Sequence, residues 1–315
     1  MGGDGTAHAV VLAADRNFQA PLAVALSSVL ANRTDQQTFD VYVLTPDIGP
    51  AEREHVVRGL APDAKVTWVD VPPSWYAGLR IIDYLTVTTA FRLMIAEVLP
   101  PAVRRAVYLD ADTLVRHSLD RLFELDLGDH VLGAVADAGH PWIGTVHSLP
   151  WQTLGLDPSA PYFNGGMLVI DVEKWRAQAV GQRALDLMRT YKFAYADQCA
   201  LNAVTNGQFT QVNLSYNTQA DHFSPKEIGL VHVSIPAVER EAAIHDPAVV
   251  HFSNGGVGVA RPWFANSQHP FAAEWLTVRS TTAFADQPLK PNPLPTRSET
   301  IRRRVRRAAY ILARG

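Results

Sequence analysis

Six short apolar runs, separated by segments of helical spacing or strong polarity, constrain this chain more than any other feature. Residues 8–14 form a nearly unbroken apolar run with the character of a buried strand, and apolar positions recur at helical spacing over 20–30. Residues 39–44 read as a second strand. Residues 66–71 read as a third, after a polar helix that begins near Pro50. The runs 105–109, 131–136 and 167–170 complete the set, and the first of these stops abruptly at Asp110. Strands alternating with helices predict an α/β fold: a Rossmann-like, mainly parallel sheet with helices on both faces. Ligands in such sheets lie beyond the carboxyl ends of the strands, where Asp15, Asp110 and Asp137 fall.

The 315 residues suffice for one large domain with a small annex. The division expected is a domain over 1–280, a Pro-rich linker over 281–297 containing Pro288, Pro291, Pro293 and Pro295, and a tail over 298–315. Residues 297–314 carry seven arginines and one glutamate, so the rest of the chain holds −9 against −3 for the whole. An acidic body argues against a nucleic-acid partner, which would need a basic working face. In the tail, Ile301, Val305, Ala308 and Leu312 share one helical face among arginines. That pattern fits an anionic membrane surface, and a solvated tail is the other reading. Cys199 is the only cysteine, so no disulfide framework exists. Neither a signal peptide nor an apolar span of about 20 residues is evident. The expected location is therefore cytoplasmic, with the tail on the inner face of the membrane.

The segment AVYLDADTLV sets Asp110 and Asp112 one residue apart just past a strand. In extended backbone, residues i and i+2 point the same way, so both carboxylates can reach one hard cation such as Mg²⁺ or Mn²⁺. With 21 aspartates in the chain, roughly one such pair arises by chance. The position carries the weight, because carboxylates ending an apolar strand are costly unless they bind something. PYFNGGMLVIDV places Asn164, Gly165 and Gly166 immediately before a strand, where Asn164 can serve a sugar hydroxyl and glycine admits a close neighbour. A simple turn explains that segment as well. YADQCALNAV puts Asp197 and Gln198 at a helix start, where an aspartate is commonly an N-cap. HFSNGGVGVARPW combines His251, a glycine-rich loop and Arg261, a grouping that suits phosphate, although a histidine ending a strand is more often packed than ligating.

These segments, with VVLAADRNF and VTTAFRL before them, occur in an order that resembles the retaining family-eight glycosyltransferases over residues 8–265. The likeness is greatest to the bacterial lipooligosaccharide galactosyltransferase branch, including its basic tail. The resemblance implies the nucleotide-diphospho-sugar transferase fold of single-sheet type, a UDP-sugar donor and Mn²⁺. It implies that Ala13, Asp15 and Asn17 receive the uracil and ribose, and that Arg92 contacts the sugar and phosphate side of the donor. It makes Asp110, Asp112 and His251 the metal ligands, with Ala111 between the carboxylates also at the donor. It gives Asp137, Asn164, Asp197 and Gln198 to the transferred sugar, with Gln198 beneath the anomeric carbon; Gly165 also binds the donor, and Gln198, Asp197 and Arg92 are the catalytic candidates. Arg261 stands where the family has lysine, and Gly255, Gly256 or Gly258 would approach the diphosphate. Cys199 replaces an acidic residue of the family next to the Asp-Gln pair.

The reaction implied is transfer of a hexose, galactose or glucose, to an acceptor hydroxyl with retention of configuration. The acceptor would be a glycan, a glycolipid or a small molecule, met by loops at 82–87 and 221–245. Three other readings remain open. One is a natural-product glycosyltransferase using another nucleotide sugar. The second is a nucleotidyltransferase, against which the acidic, glycine-free AADRNF after the first strand counts. The third is a catalytically silent nucleotide-sugar-binding protein.

Overall fold

The computed structural model describes residues 7–34, 39–61, 64–82, 85–223, 235–253, 261–265 and 267–291. Its centre is a seven-stranded sheet of order β3-β2-β1-β4-β7-β6-β8. The strands are β1 (Ala7–Ala13), β2 (Phe39–Thr45), β3 (Val66–Asp70), β4 (Val103–Asp110), β6 (Leu132–Ala136), β7 (Phe163–Asp171) and β8 (Thr210–Gln211). A second sheet of order β5-β10-β9 is built from β5 (Thr113–Val115), β9 (Thr218–Gln219) and β10 (Val249–His251). All six apolar runs are strands of the large sheet, as their patterning predicts.

The unbroken apolar character of β1 follows from burial on both faces. Val10 and Leu12 pack into one core layer while Ala9, Val11 and Ala13 pack into the other, as side chains alternating across a strand must. Fully burying such aliphatic side chains contributes roughly 1.5–3 kcal/mol each. By contrast, β3 at the sheet edge is half-exposed and carries Thr67 and Asp70. Helix Gln19–Ala31 is apolar on almost every side because two bodies enclose it. Leu22, Leu26 and Val29 meet the large sheet, and Val24 joins Leu114, Val250, Phe252 and Trp275 beside the small one.

One strand departs from the parallel arrangement. β1 pairs parallel with β2 and β4, but β7 runs antiparallel to both β4 and β6. The reversal brings the start of β7 to the edge where β4 and β6 end. The 163–166 segment is therefore the first part of the strand itself, not a turn preceding it. Against β6, Ala134 faces Leu168 and Val135 faces Asn164, so the intervening residues bulge out of that ladder.

Packing continues past residue 280. Phe284 is buried in the core against His55, and Lys290 bridges to Phe264. The remainder of the linker and the whole basic tail lie outside the described residues. Among the described residues no helix is long and apolar enough to cross a membrane.

Candidate active site

The site forms where the chain crosses from the large sheet to the small one. Asp110 is the last residue of β4, and Asp112 immediately precedes β5. The register between β5 and β10 sets His251 opposite Thr113, and the Phe252 amide donates to the Asp112 carbonyl at 2.9 Å. Backbone pairing thus delivers the imidazole to the carboxylates. His251 Nε2 lies 3.2 Å from Asp112 Oδ1 and 3.6 Å from Asp110 Oδ2. One ligand atom from each of the three residues falls within 4.8 Å of the others, a set that could hold a metal ion. Ala111 between the carboxylates is packed into the core beneath them.

Arg92, on the 3-10 helix Val87–Met94, organises the rear of the site. Its Nη2 reaches Asp110 Oδ1 at 2.8 Å, its Nε lies 2.8 Å from Asp197 Oδ2, and Nη1 donates to the Gly165 carbonyl. The guanidinium also stacks 4.7 Å from the Tyr108 ring. Burial opposes its charge, but Asp110 and Asp197 outweigh that and raise its pKa further. Burial pushes the Asp197 carboxyl up to about 6, with Arg92 offsetting part of the rise. Asp197 therefore turns inward to an ion pair and is not the N-cap of helix Ala196–Thr205, whose cap position is Tyr195. Burial acts against ionisation of Asp112 as well, yet His251 and Arg261 together hold its carboxyl below the usual range.

Of the predicted sugar-binding residues, Asp137, Asn164 and Gln198 form one network, while Asp197 pairs with Arg92. Asp137 Oδ2 accepts from Asn164 Nδ2 at 3.1 Å and from Gln198 Nε2 at 3.0 Å. Its Oδ1 accepts from the amides of Gly139 and His140. Gln198 Oε1 receives the Gly165 amide at 3.0 Å, and Asn164 Oδ1 receives the Gly166 amide at 2.9 Å. The two glycines are explained by the site's own side chains. A Cβ on Gly165 would stand 2.7 Å from Arg92 Nη1, and one on Gly166 would overlap the His251 ring. Cys199 lies behind this network, fully buried, with its Sγ 3.1 Å from the Tyr162 hydroxyl.

On the opposite flank, Ala13 at the end of β1 is in register with Asp110. Asp15 caps the turn that follows by accepting from the Asn17 amide at 2.9 Å, so this loop emerges beside the carboxylates. Arg261 closes the flank, with Nη2 3.4 Å from Asp112 Oδ2 and its guanidinium carbon 5.9 Å from the Phe18 ring and 5.4 Å from Trp263. Gly255, Gly256 and Gly258, expected at the diphosphate, lie outside the described residues, as do parts of both loops expected to meet the acceptor.

Sequence reasoning missed two residues. Tyr108 stands two before Asp110 on the same strand face, and its hydroxyl donates to Asp110 Oδ1 at 2.7 Å. The two-residue period could have shown it. Asn217, fully buried, lies 2.9 Å from His251 Nδ1 through its Oδ1. Nothing in NLSYNTQ marks it out, because only the pairing of β9 with β10 carries it there.

Comparison with known proteins bears on this arrangement. The family described as glycosyl transferase family 8 matches residues 9–267. General stress protein A of Bacillus subtilis is 24% identical over 87% of this chain and 93% of its own length. The lipopolysaccharide 1,3-galactosyltransferase of Salmonella typhimurium is 26% identical over 86% of this chain and 77% of its own. Among solved structures, the galactosyltransferase LgtC in complex with donor and acceptor sugar analogs superposes with a TM-score of 0.73 at 28% identity, covering 87% of this chain and 96% of that one.

Proposed function

The chain belongs to glycosyl transferase family 8, and from that premise we propose that it moves a hexose, galactose or glucose, from a UDP-sugar to a hydroxyl of a glycan or glycolipid with retention at the anomeric carbon. The observation that carries the reading is the convergence of Asp110, Asp112 and His251 directly beside the Asp137–Asn164–Gln198 network. A hard-cation site adjoining a ring of fixed amide and carboxylate groups suits a sugar diphosphate, which offers anionic oxygens to one part and hydroxyls to the other. The Salmonella relative's name adds support for galactose as the sugar and a lipopolysaccharide-type acceptor.

The donor set fits Mn²⁺ or Mg²⁺, since two carboxylates and an imidazole with its remote nitrogen already bonded are ordinary ligands for such ions. Bound there, the ion would supply Lewis-acid neutralisation of the diphosphate as it departs. The chain's own residues do the rest. Arg261 adds a second positive charge next to Asp112. Ala13, Asp15 and Asn17 would receive the nucleoside, a reading supported by the register of Ala13 with Asp110 and the turn that Asp15 caps. Asp137, Asn164, Asp197 and Gln198 orient the sugar, and Arg92 pairs with Asp110 and Asp197 to hold them in place. Gln198 is an amide committed at both ends, to Gly165 and Asp137, and is a poor nucleophile. Attack from the leaving-group face, with the departing phosphate taking the acceptor's proton, accounts for retention without one. The arginine-rich 298–315 segment would hold the enzyme on anionic membranes; vesicle binding that survives its deletion would remove that part of the reading.

UDP release from UDP-galactose and UDP-glucose, with and without Mn²⁺, tests the activity. Metal-dependent release with either donor is expected. Mn²⁺-dependent binding of both donors with no turnover would instead mark a silent binding protein, and pyrophosphate production would mark a nucleotidyltransferase.

A further inference from the structure

Asn217 touches no predicted sugar-binding position except Asn164, yet its side chain joins the two halves of the site. Its Nδ2 donates to Asn164 Oδ1 at 3.0 Å, and its Oδ1 lies 2.9 Å from His251 Nδ1. Asn217 is fully buried, so solvent offers neither group an alternative partner. An amide has two possible orientations and an imidazole two neutral tautomers, and the proton positions must be inferred from the fixed groups around them.

Those fixed groups exist at one end of the chain of contacts. The Gly166 amide can only donate, and it points at Asn164 Oδ1. The Asp137 carboxylate is held by donors from Gly139, His140, Gln198 and Asn164, so it can only accept. Together they leave Asn164 a single orientation, with its oxygen toward Asn217. Asn217 must then present its nitrogen to that oxygen and its own oxygen to His251. An oxygen facing His251 Nδ1 requires a proton on Nδ1. The remaining nitrogen, Nε2, faces Asp112 Oδ1 at 3.2 Å and Asp110 Oδ2 at 3.6 Å, acceptors for a proton on Nε2 that a bound cation would displace. The reversed arrangement would set two amide oxygens against each other at a buried contact, which costs on the order of 1–3 kcal/mol for the lost pairing.

We propose that Asn217 is a positioning residue: it ends a directional hydrogen-bond relay, running from Asp137 and the Gly166 amide through Asn164, that keeps a proton on His251 Nδ1 and so makes Nε2 the nitrogen that ligates a cation. The proposal rests on the metal reading given above for Asp110, Asp112 and His251. It makes the sugar-binding network part of what prepares the metal centre. Residues that orient a ligating histidine in this way typically change metal affinity about 10–100-fold when removed.

Two measurements separate this relay from the reading it rests on. Long-range ¹H–¹⁵N correlation of the histidine-labelled, metal-free full chain at pH 8, assigned with the His251→Asn variant, reports the protonated nitrogen directly. A proton on Nδ1 is expected; a proton on Nε2 alone overturns the relay whatever the protein does with metal. Mn²⁺ binding, followed by electron paramagnetic resonance without donor, is expected to weaken about 10-fold or more in Asn217→Leu while far-UV circular dichroism is unchanged. Wild-type Mn²⁺ affinity in a folded Asn217→Leu protein overturns the positioning role. Should Asn217→Leu fail to fold, the wild-type spectrum still decides. A wild-type protein that binds no Mn²⁺ would defeat the metal reading, and the relay would be judged on the tautomer alone.

Discussion

Gly166 lies directly beneath the imidazole of His251, so close that a Cβ on it would stand 2.5 Å from Nδ1 and 2.9 Å from Nε2. The contact joins a bulge in β7 to the end of β10, elements from different sheets. Gly166 does not have a positive φ, so the need for glycine is steric and not conformational. Gly166→Ala should therefore displace His251 and weaken Mn²⁺ binding about 10-fold or more. Titration of the metal against the purified variant checks this, and unaltered affinity would show that the ring need not sit there.

Asp112 is buried between His251 and Arg261 at 3.2 Å and 3.4 Å. Asp112→Asn keeps the shape of the side chain but removes the charge that draws a cation. Metal-dependent sugar transfer or donor hydrolysis should fall about 10²-fold or more with little change in melting temperature. Wild-type turnover in that variant would sink the assignment of Asp112 to the metal.

Cys199 is fully buried, and burial pushes its thiol up to about 12, against which hydrogen bonding to Tyr162 is a smaller effect. A thiol that is neither exposed nor ionised is inert. The native protein at pH 8 should thus leave a thiol-specific disulfide reagent unreacted over minutes, and unfolding in guanidinium should release one equivalent. Rapid modification of the native protein would contradict the burial of Cys199.

His269 packs among Phe223, Phe252 and Phe271, and burial lowers its pKa from 6.5 to about 4. The sign follows from linkage. Above pH 6.5 the ring is neutral in both states and has no effect on stability. As pH falls from 6.5 towards 4 the unfolded chain takes up a proton that the native one refuses, so stability declines and then levels off. The loss amounts to at most about 3 kcal/mol, at 1.36 kcal/mol per pKa unit. Urea denaturation of wild type and His269→Gln across that window should show a steeper decline towards low pH in the first than in the second. Parallel curves would assign the acid sensitivity elsewhere.

Much of this molecule is written locally in its sequence. β1, β4 and β6 declare themselves because strands covered on both faces must be apolar throughout, and the carboxylates that interrupt them are therefore conspicuous. Asp110, Asp112 and Asp137 are legible for that reason, being short-range exceptions to a short-range pattern. Other features depend on how distant segments pair. The reversal of β7 leaves no mark in an apolar run that reads alike in either direction, so Asn164 and Gly165 looked like a turn when they begin a strand. Asp197 at a helix start could have been a cap until the fold set the Arg92 guanidinium 2.8 Å away. Asn217 is an unremarkable polar residue until β9 aligns beside β10 and sets it against His251. The sequence by itself determined the strands, the sheet class and the groups able to hold charge, since burial periodicity and residue chemistry are local properties. Only the tertiary structure decided which of those groups meet and which nitrogen of His251 faces the carboxylates, because hydrogen-bond direction is set by partners far apart in the chain.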